Sequence, residues 1–272
     1  MNDRVRITID DHGVADVALV RSDKMNALDF AMFDALSAAI TRLKAEPGLR
    51  AVVLHGEGKA FCAGLDMGRM AKLNNGEPGA TRDLRPRTHG IANSAQYVGL
   101  GWREIPVPVI AAVHGVAFGG GLQVALGADI RLVTADLKMS VMEIKWGLVP
   151  DMAGVVLMRG LVRDDHAREL TYTGRIVSGT EAVALGLATR VCADPLAEAR
   201  AMAQALAQRS PSALRADKRL MNASSQVLAD SARALLQAES DEQVALMGQP
   251  NQLEAVRANM EQRPPVFSTA QA

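Results

Sequence analysis

The sequence predicts an α/β core extended by a helical C-terminal region. Short runs rich in Val, Ile and Leu, bounded by Gly, Asp or Pro, recur up to residue 133 and read as buried strands. Stretches with helical spacing lie between them, the alternation expected of an α/β core with buried, nearly continuous apolar strands. Beyond Thr180 the composition turns Ala-rich and helix-patterned. Residues 1–199 are therefore expected to form the core and residues 200–272 its helical extension.

Taken in order, Val5–Ile9 and Val14–Val20 are two strands joined by "DDHG", a hairpin turn with glycine at its end. In "LDFAMFDALSAAITRLKAEPG", Phe33, Leu36, Ile40 and Leu43 share one helical face, Asp29 is placed to cap the start, and Pro47-Gly48 stops the helix. Strands follow at Ala51–Leu54, Val107–Val113 and Ile130–Val133. The stretch from Met70 to Tyr97 is polar and broken by Gly and Pro, so it is expected to be a long loop acting as a ligand-ordered lid. In the tail "EQRPPVFSTAQA", Phe267 is the expected anchor.

Thirty basic residues balance thirty acidic ones, leaving no global field to attract nucleic acid or an anionic membrane. Aromatics at 3% are too few for a base-stacking surface. Cys62 and Cys192 form no disulfide framework, the start "MNDRVRITIDD" has no apolar signal region, and no stretch approaches the ~18 apolar residues of a membrane span. A cytoplasmic protein is expected. The five histidines show no metal-ligand spacing and G-x-S-x-G is absent, so neither a metal site nor a serine nucleophile is expected.

Three stretches remain as candidates for chemistry. "HGEGKAFCAGLDM" (55–67) places glycines after a strand but matches neither a dinucleotide fingerprint nor a P-loop. "HGVAFGGGLQVALGADIR" (114–131) puts Gly119, Gly120 and Gly121 before an apolar run. Such a triplet either packs a helix closely on a strand or presents unpaired N–H groups at a helix start. "MSVMEIKWGLVPDMAG" (139–154) holds Glu143 and Asp151 in apolar surroundings, where a carboxyl either gains a raised pKa or is merely a solvated loop charge.

Together, in this order and spacing, "KMNALDFAMFDAL", "GKAFCAGLDM", "PVPVIAAVHGVAFGGGLQVALGADIRL", "EIKWGLVPDMAG", "LTYTGRIVSGTEAVALGLATRV" and "RPPVF" resemble the crotonase superfamily, the enoyl-CoA hydratase/isomerase proteins. The resemblance covers nearly the whole chain. It implies a spiral of ββα turns and a C-terminal helical trimerisation region, giving a homotrimer or a dimer of trimers. The substrate it implies is an acyl-CoA thioester, with no other cofactor. The Leu65 and Gly120 N–H groups would form an oxyanion hole for the thioester enolate, Glu143 would be the base, and main chain around Ala63 and Asp66, with Lys24, would contact CoA.

Departures from the family pattern bear on the reaction. The hydratases' first glutamate is replaced by Gln123, which has no useful protonation equilibrium. Asp151 stands eight residues after Glu143, at an acidic position of the dienoyl-CoA isomerases. Asn259 occupies the place of a phenylalanine that many members carry. Double-bond isomerisation is thus expected ahead of hydration or dehydration through a Gln123-held water. A non-catalytic CoA- or RNA-binding homologue is the alternative of another class.

Overall fold

The computed structural model describes residues 4–75, 77, 79 and 82–267, with backbone alone at 70, 73 and 74. The chain opens with the expected hairpin: β1 (Val5–Ile9) pairs antiparallel with β2 (Val14–Leu19), Val5 opposite Leu19. Gly13 takes φ +77° in the turn. Helix α1 (Phe30–Lys44) follows, and the Asp29 carboxylate accepts from the Met32 N–H at 2.8 Å, the cap read from the sequence. Its Met32, Phe33, Leu36, Ile40 and Leu43 are buried, a period that puts one face on the sheet.

Strand β3 (Ala51–Gly56) runs parallel to β2 and is buried throughout. Helices α2 (Met67–Asn74) and α3 (Ser94–Glu104) come next. Then β4 (Val109–Val113), β5 (Val116–Phe118) and α4 (Gly120–Gly127) form one ββα unit. Strands β6 (Ile130–Val133) and β7 (Lys138–Ser140), a 3-10 turn at Glu143–Trp146 and α5 (Gly154–Met158) form a second. After α6 (Asp164–Thr173), β8 (Val177–Ser178), α7 (Gly179–Leu185) and β9 (Arg190–Val191), the described residues continue in four helices: α8 (Pro195–Ala207), α9 (Pro211–Ser225), α10 (Asp230–Leu246) and α11 (Pro250–Met260).

The larger sheet has the order β1-β2-β3-β4-β6-β9, parallel from β2 onward; the smaller is β5-β7-β8. The fold is α/β, as the strand–helix alternation predicts. Helix α8 presents Ala199, Ala203 and Ala207 to Ala51, Val53, Ile110 and Leu132 of the sheet. Small residues at four-residue spacing let it lie close against the strands.

Two local expectations are corrected. The stretch 70–97 is not one long loop, because α2 and α3 occupy its ends; residues 76, 78, 80 and 81 lie outside those described. Helix α3 is buried from Gln96 to Trp102, so it lacks the polar face that would have marked it. Phe267 is 56% exposed and anchors nothing; the tail is held instead by Glu254, which accepts from the Val266 N–H at 2.8 Å.

Candidate active site

The glycine-bearing turns after β3 and β5 lie side by side. Cys62 N–H donates to the Val116 carbonyl at 3.1 Å, and Phe118 N–H to the Cys62 carbonyl at 3.2 Å. On the other side, Leu28 N–H donates to the Gly64 carbonyl at 2.8 Å and Asp66 N–H to the Leu28 carbonyl at 3.2 Å. This bridge turns the Leu65 N–H away from Leu28. Gly120 is the first residue of α4, where an N–H has no intrahelical acceptor. Among the described residues no oxygen accepts from either amide.

Each glycine of the triplet has its own cause. Gly119 sits at φ +49°, and a Cβ there would meet the Glu143 carboxylate at 3.0 Å. At Gly120 a Cβ would meet the Met152 sulfur at 2.6 Å and Leu28 Cδ1 at 2.9 Å. At Gly121 it would stand 2.3 Å from the Cys62 carbonyl oxygen. Close packing and a free N–H thus coexist in one triplet: Gly121 serves the first, Gly120 both.

Glu143 opens the 3-10 turn after β7 and is buried. Gln123 Nε2 donates to its Oε1 at 2.7 Å, while Oε2 is buried with no partner among the described residues. Burial pushes the carboxyl up to about 7; the charge of Asp151 adds to this, and the Glu143 N–H and the Gln123 amide oppose it. Asp151 is likewise raised by burial, to about 6, against its own N–H and the charge of Arg69. Neither acid is a solvated loop charge.

Gln123 is held at both atoms of its amide. Its Oε1 accepts from the Met152 and Gly154 N–H groups, both at 2.8 Å, and its Nε2 holds Glu143. The amides that alternate with these go to Glu239 of α10, which accepts from the Ala153 N–H at 3.0 Å and the Val155 N–H at 3.2 Å. Burial raises Glu239 to about 8, with the Gln96 amide opposing and the Asp151 charge adding. Glu239 had no signal in the sequence, standing in an Ala-rich helix some way from any motif.

One cavity gathers Ala63, Leu65, Gly120, Glu143 and Asp151. Three candidate residues lie off its wall. Gln123 is behind Glu143. Asp66 binds Arg21 at 2.7 Å and caps α2 through the Gly68 N–H at 2.9 Å. Lys24 is exposed in the Ser22–Lys24 turn, adjacent to Met25, whose carbonyl accepts from the Ala63 N–H at 2.9 Å. Cys62 is buried and its thiol is pushed up to about 12, a packing residue rather than a nucleophile.

The C-terminal helices close this wall. Gln243 and Met247, at the end of α10, line the cavity, and Gln243 accepts from the Val149 N–H at 3.1 Å. Helix α11 lies on the Glu143–Trp146 turn, so close that a Cβ on Gly147 would stand 2.9 Å from Gln252 Cα. Asn259 donates to the Lys145 carbonyl, tying the same helix to the turn that carries Glu143.

The geometry therefore offers two amides without an acceptor among the described residues, two carboxyls of raised pKa and a largely apolar cavity, which suits proton transfer beside a carbonyl. Residues 10–270 match the family model described as enoyl-CoA hydratase/isomerase. A Thermus thermophilus protein named as a candidate enoyl-CoA hydratase is 35% identical over 93% of this chain and 97% of its own. The crystal structure of an enoyl-CoA hydratase/isomerase from Mycobacterium paratuberculosis is 28% identical, with a TM-score of 0.83 over 94% of this chain and 98% of that one. An enoyl-CoA hydratase structure from Mycobacterium smegmatis is 32% identical, with a TM-score of 0.71 over 98% and 99%. With this match across the chain, the protein belongs to the enoyl-CoA hydratase/isomerase family, the crotonase superfamily, and is an acyl-CoA enzyme.

Proposed function

We propose that the chain isomerises the double bond of an enoyl- or dienoyl-CoA thioester. The observation that carries this is that two carboxyls, Glu143 and Asp151, line one cavity while the residue bonded to Glu143 from α4 is the amide Gln123 and not a second acid that could activate a water. The second titratable group in the cavity is Asp151. In this reading the thioester oxygen sits between the Leu65 and Gly120 N–H groups. Ionised Glu143 takes the proton from the carbon next to the thioester through Oε2. The electron pair moves onto the oxygen, and the two amides stabilise it; one such donor is typically worth ~2.7–4 kcal/mol. Protonated Asp151 then delivers a proton to the far end of the conjugated system, and the double bond lies nearer the thioester. Transfer of the proton from Glu143 to Asp151 resets the pair.

The two carboxyls face one cavity and titrate as a coupled pair. Glu143 is raised further, to about 7 against about 6 for Asp151, so a single shared proton rests on Glu143 in the free protein. In this reading it passes to Asp151 when the thioester binds, leaving Glu143 ionised as the base. Lys24 and the main chain around Ala63 and Asp66 are the proposed CoA contacts. Hydration is the second reading, favoured by the hydratase names of several relatives and by the unpartnered Oε2 of Glu143. The experiment is a panel of 2-enoyl-, 3-enoyl- and 3,5-dienoyl-CoA thioesters assayed for bond migration and for water addition. Bond migration exceeding hydration supports isomerisation; efficient hydration of a short 2-enoyl-CoA reverses the order.

A further inference from the structure

Two guanidinium groups line the cavity, and the proton transfers above use neither. Arg69 stands on α2 and Arg82 on the segment between α2 and α3. One aromatic ring positions both. The Arg69 guanidinium carbon is 4.0 Å from the centre of the Phe30 ring, and that of Arg82 is 4.6 Å from it. Arg69 also lies 5.4 Å from the Phe33 ring, and Asp34 holds Arg82 through two bonds of 2.6 and 2.8 Å. Phe30, Phe33 and Asp34 belong to the first turns of α1, so a single rigid helix fixes both arginines.

A guanidinium over an aromatic ring keeps its N–H donors in its own plane, where they meet a carboxylate edge-on. A purely aliphatic acyl chain gives such groups nothing to bind and costs them solvation. From this arrangement we infer that the cavity selects acyl thioesters carrying an anionic group, a carboxylate, on the acyl portion, recognised by Arg69 and Arg82. This rests on the acyl-CoA reading above. Asp151 shares the cavity, and an anion arriving beside it favours its protonated form. Asp151 then meets the substrate as a hydrogen-bond donor, the state its proposed role requires.

CoA itself carries anions, its phosphates, so the test separates the two sources. Binding of glutaryl-CoA and of its ω-methyl ester, both saturated and unreactive, is measured by calorimetry on the wild-type protein, Arg69→Met and Arg82→Met. The same pair is measured as N-acetylcysteamine thioesters, which lack phosphate. The wild type should bind the free acid at least about tenfold more tightly than the ester, equivalent to ~1.4 kcal/mol. Each folded variant should reduce that ratio toward one, and the preference should persist without CoA. A ratio near one in the wild type, a ratio unmoved in both variants, or a preference confined to the CoA thioesters overturns the inference. Because binding is read without turnover, an enzyme inactive on every enoyl thioester would sink the proposed reaction and leave this result to be judged on its own.

Discussion

Replacing Glu143 by Gln separates what the carboxyl does for catalysis from what its burial costs the fold. Gln is nearly isosteric, and its side-chain oxygen can still accept from Gln123 Nε2 where Oε1 does now, at 2.7 Å. In the folded protein burial pushes this carboxyl from its ordinary value of 4.5 up to about 7. Between those values the native protein holds more protons than the unfolded chain, so this group lowers stability as pH rises from 4.5 and has its full effect above 7. The gap of 2.5 pH units, at ~1.36 kcal/mol each, sets an upper bound of roughly 3 kcal/mol on the effect. Denaturant unfolding of both proteins at pH 5 and pH 8, at one protein concentration, should show Glu143→Gln gaining roughly 2–3 kcal/mol on the wild type between the two pH values. The comparison cancels any constant cost of the amide. In the same preparations turnover should fall at least ~10²-fold, the low end for loss of an acid–base group. Parallel stability profiles would refute the buried, raised carboxyl; retained turnover would refute its role as base.

Asp151→Asn should impair bond migration most on 3,5-dienoyl-CoA and remove one limb of a bell-shaped pH–rate profile, since both a base and an acid are needed; an unchanged profile would show that Glu143 moves the proton alone. Gln123→Glu should raise hydration of a short 2-enoyl-CoA relative to bond migration in a 3-enoyl-CoA, because it adds a titratable group 2.7 Å from Glu143 Oε1; a constant ratio of the two rates counts against the assignment. Gly120→Val should abolish turnover while near-native circular dichroism persists, because the added Cβ meets the flexible ends of Met152 and Leu28 rather than backbone. Sedimentation at micromolar concentration should give a trimer or a pair of trimers; a monomer would remove the oligomerisation role proposed for residues 200–272.

Much of this architecture can be read from the sequence because its local signals agree with the tertiary structure. Asp29 caps α1, the buried positions of that helix follow its period, and the Val-rich runs become the parallel strands. Strands β5, β7, β8 and β9 have two or three residues each, too few for any alternation to emerge. Helix α3 is buried on every side through its middle, so periodicity misses it, yet its capping box was present in Asn93 and Gln96. The acids at 143 and 151 are visible as residues in an apolar stretch, but their burial comes from α10 and α11, roughly a hundred positions further on. Arg69 and Arg82 were hidden for a related reason. One stands just before the polar, Gly- and Pro-broken stretch and the other within it, and nothing local hints that they share a ring on α1.

The least legible feature explains the most about the site. Four consecutive amides, Met152 to Val155, alternate between two acceptors, Gln123 from α4 and Glu239 from α10. This satisfies the donors of the α5 start and fixes the peptide that follows Asp151. Gln and Glu at position 123 could do this equally well, because the bonds require only an oxygen. They differ at the other atom, which faces Glu143. An amide nitrogen there donates to Glu143 and lowers its pKa; a second carboxylate would raise it. Glu143, Asp151 and Glu239 are already raised by burial, and the charge of Asp151 raises the other two further. A fourth acid would add repulsion to a wall in which the Arg69 charge acts on Asp151 and Arg69 is itself lowered to about 10 by burial. Neutral Gln123 therefore preserves the scaffold of the α5 start while leaving Glu143 able to ionise near pH 7, which the proposed exchange of a proton with Asp151 requires.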